Sequence, residues 1–358
     1  MRTAYPAFAQ AKIPFEISRS DTLLSWLMKI AEARPFLDEY LGTPQELKLL
    51  RRAKIKAVTY SNQIEGNQLG ESDVTAVLQG KQVRGSEQEI KEIGNYQTAL
   101  DYVEKLAKDK RKLSQRDFCD IQRLVTQGLL PEKQMGRIRT IPVSIVNSVT
   151  QEKIEDCPKP HLLPDLMDDL WKWLDETKGV NPFLRAFAFH FIAVSIHPFA
   201  DGNGRTMRLM QHLLLLKGGE TIARLVPSET VIMRQRNRYY STIRQSKSLG
   251  SLHPFLEFLA ECFSVAAQEV VSEGKSLLRK QAGRKPKSRR ERIITYARGV
   301  KEFSTGDIAD LLSDIPRRTI ERDIAVLVEE RQLVAAGKKK ARTYHFALTA
   351  RVRGRRKS

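Results

Sequence analysis

Cysteine is scarce in this 358-residue chain, and the three present, Cys119, Cys157 and Cys262, stand far apart. Their number is odd and no Cys-x-x-Cys pair occurs, so neither a disulfide framework nor a zinc site is supported. Long apolar runs are missing too. The stretch around Ala186–Phe199 is broken by His190, Ser195 and His197, and Leu213–Leu216 is short. Neither approaches the roughly 18–20 apolar residues that cross a bilayer. Met1–Pro14 has no continuous apolar stretch after Arg2, so no secretory leader is expected there. No internal repeat and no long low-complexity tract occurs outside the basic segments. With 41% hydrophobic and 29% charged residues, the chain reads as soluble, globular and cytoplasmic, with no membrane partner.

Acidic charge is the remaining shortage, and it is local. The chain carries a formal net charge of +19. Lys275–Ser358 holds 24 basic and 9 acidic residues, or +15, which leaves +4 for the first 274 residues. A nearly balanced body therefore carries a strongly basic C-terminal part.

Apolar spacing predicts helices over Leu23–Leu41, Glu46–Gln63, Gly85–Lys110 and Arg116–Val125, the last behind an N-cap at Ser114. Gly136–Val149 differs. Its β-branched residues and Pro142 predict a small hairpin or extended flap. Further helices are expected over Pro164–Thr177, Phe183–Ile196, Arg205–Lys217, Thr230–Lys247 and His253–Glu273. A basic linker follows. Then Glu291–Ala297, Asp307–Leu312 (capped by Ser304 and Thr305) and Thr319–Glu330 read as helices. Leu333–Val334 and Thr343–Phe346 read as short strands. Three helices and a basic hairpin describe a winged helix-turn-helix. The expected fold is mainly α, a helical core with a small β-hairpin flap plus that C-terminal domain. The expected divisions are an N-terminal helical region at 1–84, a core at 85–273, a linker at 274–289, the winged helix at 290–348 and a basic tail at 349–358.

The most informative stretch is His197–Arg208, HPFADGNGRTMR. It follows one apolar helix and opens another. That places Gly202, Asn203 and Gly204 in a tight turn at a helix N-terminus, where backbone N–H groups and the helix dipole favour an anion. Arg205 and Arg208, one turn apart, can grip phosphate oxygens. Asp201 offers a hard oxygen for Mg²⁺. His197 is a base of suitable type. Each feature alone is weak, and their conjunction within twelve residues points to phosphate-transfer chemistry.

HPFADGNGRTMR resembles the Fic family signature, His-x-Phe-x-Asp/Glu-Gly-Asn-Gly-Arg-x-x-Arg, at every defined position, and the likeness extends over roughly Leu41–Glu273. Proteins of this family mostly transfer AMP from ATP to a hydroxyl of a target protein. The resemblance implies that His197 deprotonates the Ser, Thr or Tyr hydroxyl and that Asp201 holds the Mg²⁺ bridging the α- and β-phosphates. It implies an anion hole at Gly202–Gly204 with Asn203 on the phosphates, Arg205 on the phosphates, and Arg208 on the γ-phosphate. Phe199 would orient the loop by packing.

Gly136–Ser148 resembles the family's flap, whose extended edge can align a target segment by main-chain pairing. Tyr239 and Tyr240 resemble paired aromatics that line the adenine pocket, and Tyr240 is the preferred contact. Lys247 stands where many relatives carry Asn. Asn95, in EIGNYQTAL, falls in a helix similar to one in relatives, with no chemistry assigned. Upstream, Ser61-x-x-x-Glu65-Gly66 resembles the inhibitory signature of self-inhibited Fic proteins. Ser61 and Glu65 share one helix face, and Gly66 can take the left-handed backbone that ends a helix. The resemblance implies a salt bridge from Glu65 to Arg208 that removes the γ-phosphate clamp.

Pro316–Val334 resembles the recognition-helix region of DeoR-type winged-helix regulators. Arg317, Arg318, Thr319 and Arg322 would reach base edges and phosphates of duplex DNA through 290–358. Gly337–Lys340 reads as a wing tip, and RKPKSRR and RVRGRRKS as phosphate-binding arms. Protein docking is the alternative use of such a domain. The leading function is a self-inhibited adenylyltransferase using ATP and Mg²⁺. The alternatives are a de-AMPylase or a transferase of another nucleotide, and a DNA-binding regulator that uses the core as a nucleotide sensor. A homodimer is compatible with the chain.

Overall fold

The structure, a computed structural model, describes residues 5–40, 44–146, 153–282, 288–297, 300, 302–312, 315–337 and 342–347. The chain divides into two compact units, Met1–Lys275 and Ser276–Ser358.

The first unit opens with α1 (Pro6–Gln10), α2 (Asp21–Asp38), α3 (Pro44–Ile64), α4 (Glu71–Leu78), α5 (Glu87–Lys108) and α6 (Gln115–Thr126). Local sequence sets their starts. The Ser20 hydroxyl accepts the Leu23 N–H at 3.1 Å at the head of α2. Ser86 and Glu89 form a reciprocal cap on α5, at 3.2 Å and 2.9 Å. At Ser114 the expected cap is carried from the other side, since Asp117 accepts both the Ser114 N–H and its hydroxyl. α1 and α4, of five and eight residues, went unpredicted because they are too short to show a helical period.

β1 (Ser144–Val146) pairs antiparallel with β2 (Lys153–Asp156), Ser144 facing Asp156. This differs from the hairpin expected within Gly136–Val149. Residues 136–143 carry no strand, and 147–149 lie outside the described residues. Pro142 lacks an N–H for a ladder, and the Ile141 carbonyl accepts a side-chain bond from Arg139 instead.

α7 (Leu163–Glu176), α8 (Pro182–Ile196), α9 (Asn203–Lys217), α10 (Glu229–Arg234), α11 (Arg236–Leu249) and α12 (His253–Ala282) complete this part of the chain. The single helix expected over Thr230–Lys247 is two, because Gln235 leaves the helical backbone at φ −114°, ψ 32°. α12 runs nine residues past its expected end at Glu273, into the expected linker, of which 283–287 lie outside the described residues.

α8 and α9 pack on each other at the centre of this unit. α8 buries Phe183, Phe187, Phe189, Phe191 and Ile192, and α9 is buried nearly all round. α5 and α6 pack against α9, and α3 packs against α5 and α10. The α8–α9 turn is thereby walled by helices, and the C-terminal end of α3 is brought to it. No described helix is long and apolar enough to cross a membrane.

The second unit holds α13 (Arg289–Ala297), α14 (Thr305–Leu311), α15 (Arg317–Glu329) and the antiparallel strands β3 (Leu333–Ala336) and β4 (Thr343–Phe346). Ile293, Phe303, Ile308, Ile320, Ile324, Leu327 and Leu333 form one buried cluster. The Ser304 hydroxyl caps α14 through the Asp307 N–H at 3.3 Å. Asp323, buried on α15, accepts from Arg289 at 2.8 Å and Arg290 at 3.2 Å. Those two bases therefore have a partner inside the unit. Arg317, Arg318 and Arg322 are exposed near the start of α15, and Thr319 is half-buried. The expected wing tip at Lys338–Lys340 and the tail 349–358 lie outside the described residues.

Candidate active site

The turn between α8 and α9 is shaped by two left-handed residues. His197 ends α8 at φ 51°, ψ 60°, and Gly202 precedes α9 at φ 77°. At Gly202 any side chain is excluded, because its Cβ would come within 2.7 Å of Thr126 Cγ2. Between them, Phe199 is buried and packs on Phe118 with ring centroids 4.9 Å apart. Burying one such ring contributes about 1.5–3 kcal/mol, enough to fix where the loop sits. Asn203, expected on the phosphates, also uses its amide inside the loop. Its Oδ1 accepts the Phe199 N–H at 3.0 Å and its Nδ2 donates to the Phe199 carbonyl at 2.9 Å.

The first two turns of α9 carry an arginine pair. Arg205 and Arg208 are 4% and 1% exposed. Arg205 lies 3.4 Å from Glu92 and 3.6 Å from Asp201. Arg208 donates from Nε to the Ser61 hydroxyl and from Nη2 to both the Ser61 carbonyl and Glu65 Oε1, each at 2.8 Å. Arg205 Nε and Nη1 and Arg208 Nη1 are buried without a hydrogen bond among the described residues. Buried guanidinium N–H groups left over in this way fit a phosphate-bearing ligand. Asp201 is exposed at the mouth of the same turn, and Gln122 fixes its carbonyl at 3.0 Å. Among the described residues no three His, Cys, Asp or Glu cluster as a metal site. One carboxylate beside a phosphate cradle is nonetheless a donor set that Mg²⁺ accepts, since it takes its remaining ligands from phosphate and water.

Glu65 stands at the end of α3, with Gly66 following at φ 107°. Its side chain is 31% exposed. Burial alone would raise its carboxyl, but the charges of Arg208 and Arg205 outweigh that and hold it below the ordinary range. Gly204 makes room for it, since a Cβ there would collide with Glu65 Oε1. The structure thus brings Ser61, Glu65 and Arg208 into one contact. Arg208 itself is pulled down by burial and pushed higher by Glu65, so it stays charged.

His197 is half-buried, with Nδ1 making no hydrogen bond among the described residues. Burial pushes its imidazole down to about 4, and the Arg139 charge adds to the shift. It is neutral at pH 7 and able to accept a proton. The paired tyrosines part company. Tyr239 is buried, 2.9 Å from His190 Nε2, which places it in the core. Tyr240 is half-buried and donates to the Ile64 carbonyl at 3.3 Å, beside Glu65. Lys247 and Ser195 line a cavity of about 500 Å³ with Lys12, Ile13, Cys157 and Pro158. Asn95 closes the end of α6 through the Val125 and Gln127 carbonyls at 3.3 Å and 2.9 Å.

Three residues that sequence reasoning missed hold this assembly. Glu92 bridges Arg205 to Asn67 at 2.9 Å. Gln122 joins the Asp201 carbonyl to the Gly136 N–H, at 3.0 Å and 2.5 Å. Its signal was present, a polar residue on a helix face with Phe118, Ile121 and Val125. Arg139 binds the His197 carbonyl at 2.8 Å and left no sequence signal.

The chain has recognisable relatives among known proteins. Residues 112–215 match the family model described as "Fic/DOC family". The chain is 30% identical over 221 residues to "Protein adenylyltransferase Fic" of Drosophila grimshawi, covering 60% of this chain and 43% of that protein. It is 28% identical over 239 residues to "Protein adenylyltransferase fic-1" of Caenorhabditis elegans, covering 64% and 43%. It therefore spans less than half the length of these curated relatives. Among solved structures, a Fic family protein from Desulfovibrio desulfuricans superposes with a TM-score of 0.66 at 26% identity, covering 93% of this chain and 98% of that one. Fic-1 from C. elegans gives 0.56 at 25% identity, covering 71% and 74%. Residues 112–215 thus form a Fic/DOC-type region, and over most of its length the chain resembles Fic proteins in sequence and fold.

Proposed function

We propose that the protein is an adenylyltransferase that moves AMP from ATP to a Ser, Thr or Tyr hydroxyl of a target protein, and that Glu65 holds it repressed. The observation that carries this reading is Arg208, buried at the mouth of an anion cradle and bonded by Glu65 at 2.8 Å. The names of the relatives support the same class of reaction.

In this reading neutral His197 takes the proton of the target hydroxyl. The oxygen attacks the α-phosphorus, and pyrophosphate leaves. Attack of this kind needs in-line placement and neutralised charge more than covalent help from the protein. The backbone of Gly202–Gly204, with Arg205, receives the phosphates. Arg208 receives the γ-phosphate once Glu65 and Ser61 release it. Asp201 would hold Mg²⁺, which supplies positive charge to the phosphates. Tyr240, beside Glu65, receives the nucleoside. β2 covers one edge of β1, and no described strand pairs with the other, which leaves it for the target's main chain.

Labelled ATP given to wild type, Glu65→Gly and His197→Ala tests the reading. Glu65→Gly should raise AMP transfer and self-modification strongly, and His197→Ala should abolish both. Equal labelling of wild type and Glu65→Gly would sink the inhibition. Mass spectrometry with each NTP identifies the transferred group, and loss of AMP from a modified target would show the reverse reaction.

For the second unit, the exposed Arg317, Arg318 and Arg322 at the start of α15 support a winged helix-turn-helix that binds duplex DNA. Arg318→Ala and Arg322→Ala should each lower the salt slope of binding by about 1. Absence of any salt-dependent shift with duplex DNA would turn the reading to protein docking.

A further inference from the structure

Arg139 is 5% exposed, and its guanidinium is surrounded by main-chain carbonyls. Nε donates to His197 at 2.8 Å, Nη1 to Ile141 at 3.0 Å and Nη2 to Pro158 at 2.6 Å. Its own N–H donates to the Pro198 carbonyl at 2.9 Å. One residue thus ties three segments: the stem ahead of β1, the exit from β2 and the end of α8.

Two facts make this more than packing. Among the described residues Arg139 donates only to carbonyls, and no carboxylate pairs with it. Burial draws its pKa down, so among the described residues this charge is held by neutral carbonyls alone, at a cost in desolvation. Next, the carbonyl it binds belongs to His197, a non-glycine residue held in the left-handed region at φ 51°. Such a backbone costs on the order of 1–3 kcal/mol and persists only where its surroundings impose it.

We propose that Arg139 is the positioning residue of the site: by binding the His197, Ile141 and Pro158 carbonyls it fixes the turn that presents the His197 imidazole and sets the flap's position relative to it. A target segment aligned on β1 is then delivered at a fixed distance from the base. The inference rests on the transferase reading for its catalytic consequence, but not for its geometry.

The charges that act on the His197 ring are Arg139 and Lys247, which push it down, and Glu65, which pushes it up. The Cys157 thiol lies on the Arg139 side. These allow a test that needs no activity. The chain has six histidines, and His197→Ala assigns the His197 resonance in an NMR titration of the full-length protein. In Arg139→Gln the His197 midpoint should rise by about 0.5 pH unit or more, because a like charge is lost. In Arg139→Lys it should stay near the wild-type value.

In the Glu65→Gly background, Arg139→Gln should lower kcat on the order of a hundredfold, since the base is misplaced. KM for ATP should stay within about twofold, because phosphate binding is left intact. Arg139→Lys should fall between the two in kcat, with its His197 midpoint kept. An unmoved His197 midpoint in Arg139→Gln, or an unchanged kcat in either variant, overturns the proposal. Should Arg139→Gln fail to fold, the lysine variant decides alone, because charge without the fork must still cost kcat. If the Glu65→Gly parent transfers nothing, the transferase reading has failed, and the titration still decides Arg139.

Discussion

Removing the Glu65 carboxylate should destabilise the protein in a way that nucleotide repairs. In wild type, the Arg208 guanidinium has three acceptor contacts, and Glu65 is the one that carries charge. Glu65→Ala leaves a 1% exposed cation with two neutral acceptors from Ser61. Breaking a fully buried pair costs about 3–5 kcal/mol. Here the carboxylate is 31% exposed, so water softens both the pair and its loss, and a charge-assisted bond of about 2 kcal/mol is the better measure. For a unit of this size that corresponds to roughly 3–4 °C in Tm. The assay is calorimetry of the full-length chain with and without ATP and Mg²⁺. Without nucleotide, Glu65→Ala should melt lower by that amount. With nucleotide in large excess, a phosphate takes the place of the lost carboxylate. The upward shift, about 2.7 kcal/mol at a hundred times Kd, should then be larger in the variant than in wild type. An unchanged Tm for Glu65→Ala, or equal nucleotide shifts in both proteins, would refute the argument that Glu65 is what satisfies Arg208.

Two further outcomes follow from groups buried beside the site. His190, wholly buried between Gln211 at 2.7 Å and Tyr239 at 2.9 Å, is pushed down to about 3 by burial. The unfolded chain binds that proton near pH 6.5 and the folded chain does not, so stability falls as pH drops below 6.5, by about 1.4 kcal/mol per pH unit for this one group. His190→Gln should flatten the acid limb of a denaturant-unfolding series by that slope, and an unaltered slope would contradict it. Glu229 works in the opposite sense. Burial raises its carboxyl to about 7, so its stabilising protonated form is complete below 4.5 and is lost as pH rises through 7. Glu229→Gln should therefore match wild type near pH 4.5 and melt higher at pH 8, and parallel melting curves across that range would show that Glu229 is not protonated in the folded state.

How much of this was legible in the sequence depended on distance along the chain. The twelve residues from His197 to Arg208 are contiguous, so their order alone places a turn, a helix start and two arginines on one helix. Ser61 and Glu65 were legible for the same reason, because four residues make one helix face and Gly66 marks its end. For the longer helices existence followed from period, whereas helix ends did not. α12 continues past Glu273 although the sequence turns basic, and Gln235 divides a pattern that has no break in its periodicity.

Arg139 and Gln122 show why the remainder was hidden. Each bonds main-chain atoms of segments 14 to 79 residues away. A carbonyl has no side-chain identity, so no residue pairing betrays such a contact. Glu92 is hidden differently, since an acid on a half-exposed helix reads as a solvated face until Arg205 is folded against it. Asn203 and Tyr239 are the converse case. Resemblance implied ligand contacts for both, and what the sequence did not show is that a buried amide and a buried phenol also satisfy their own polar atoms within the fold, on Phe199 and His190. Arg205 and Arg208 escape that constraint because a guanidinium has five donors and the fold answers only some of them. The donors left over are what the sequence could not reveal and what a phosphate would bind.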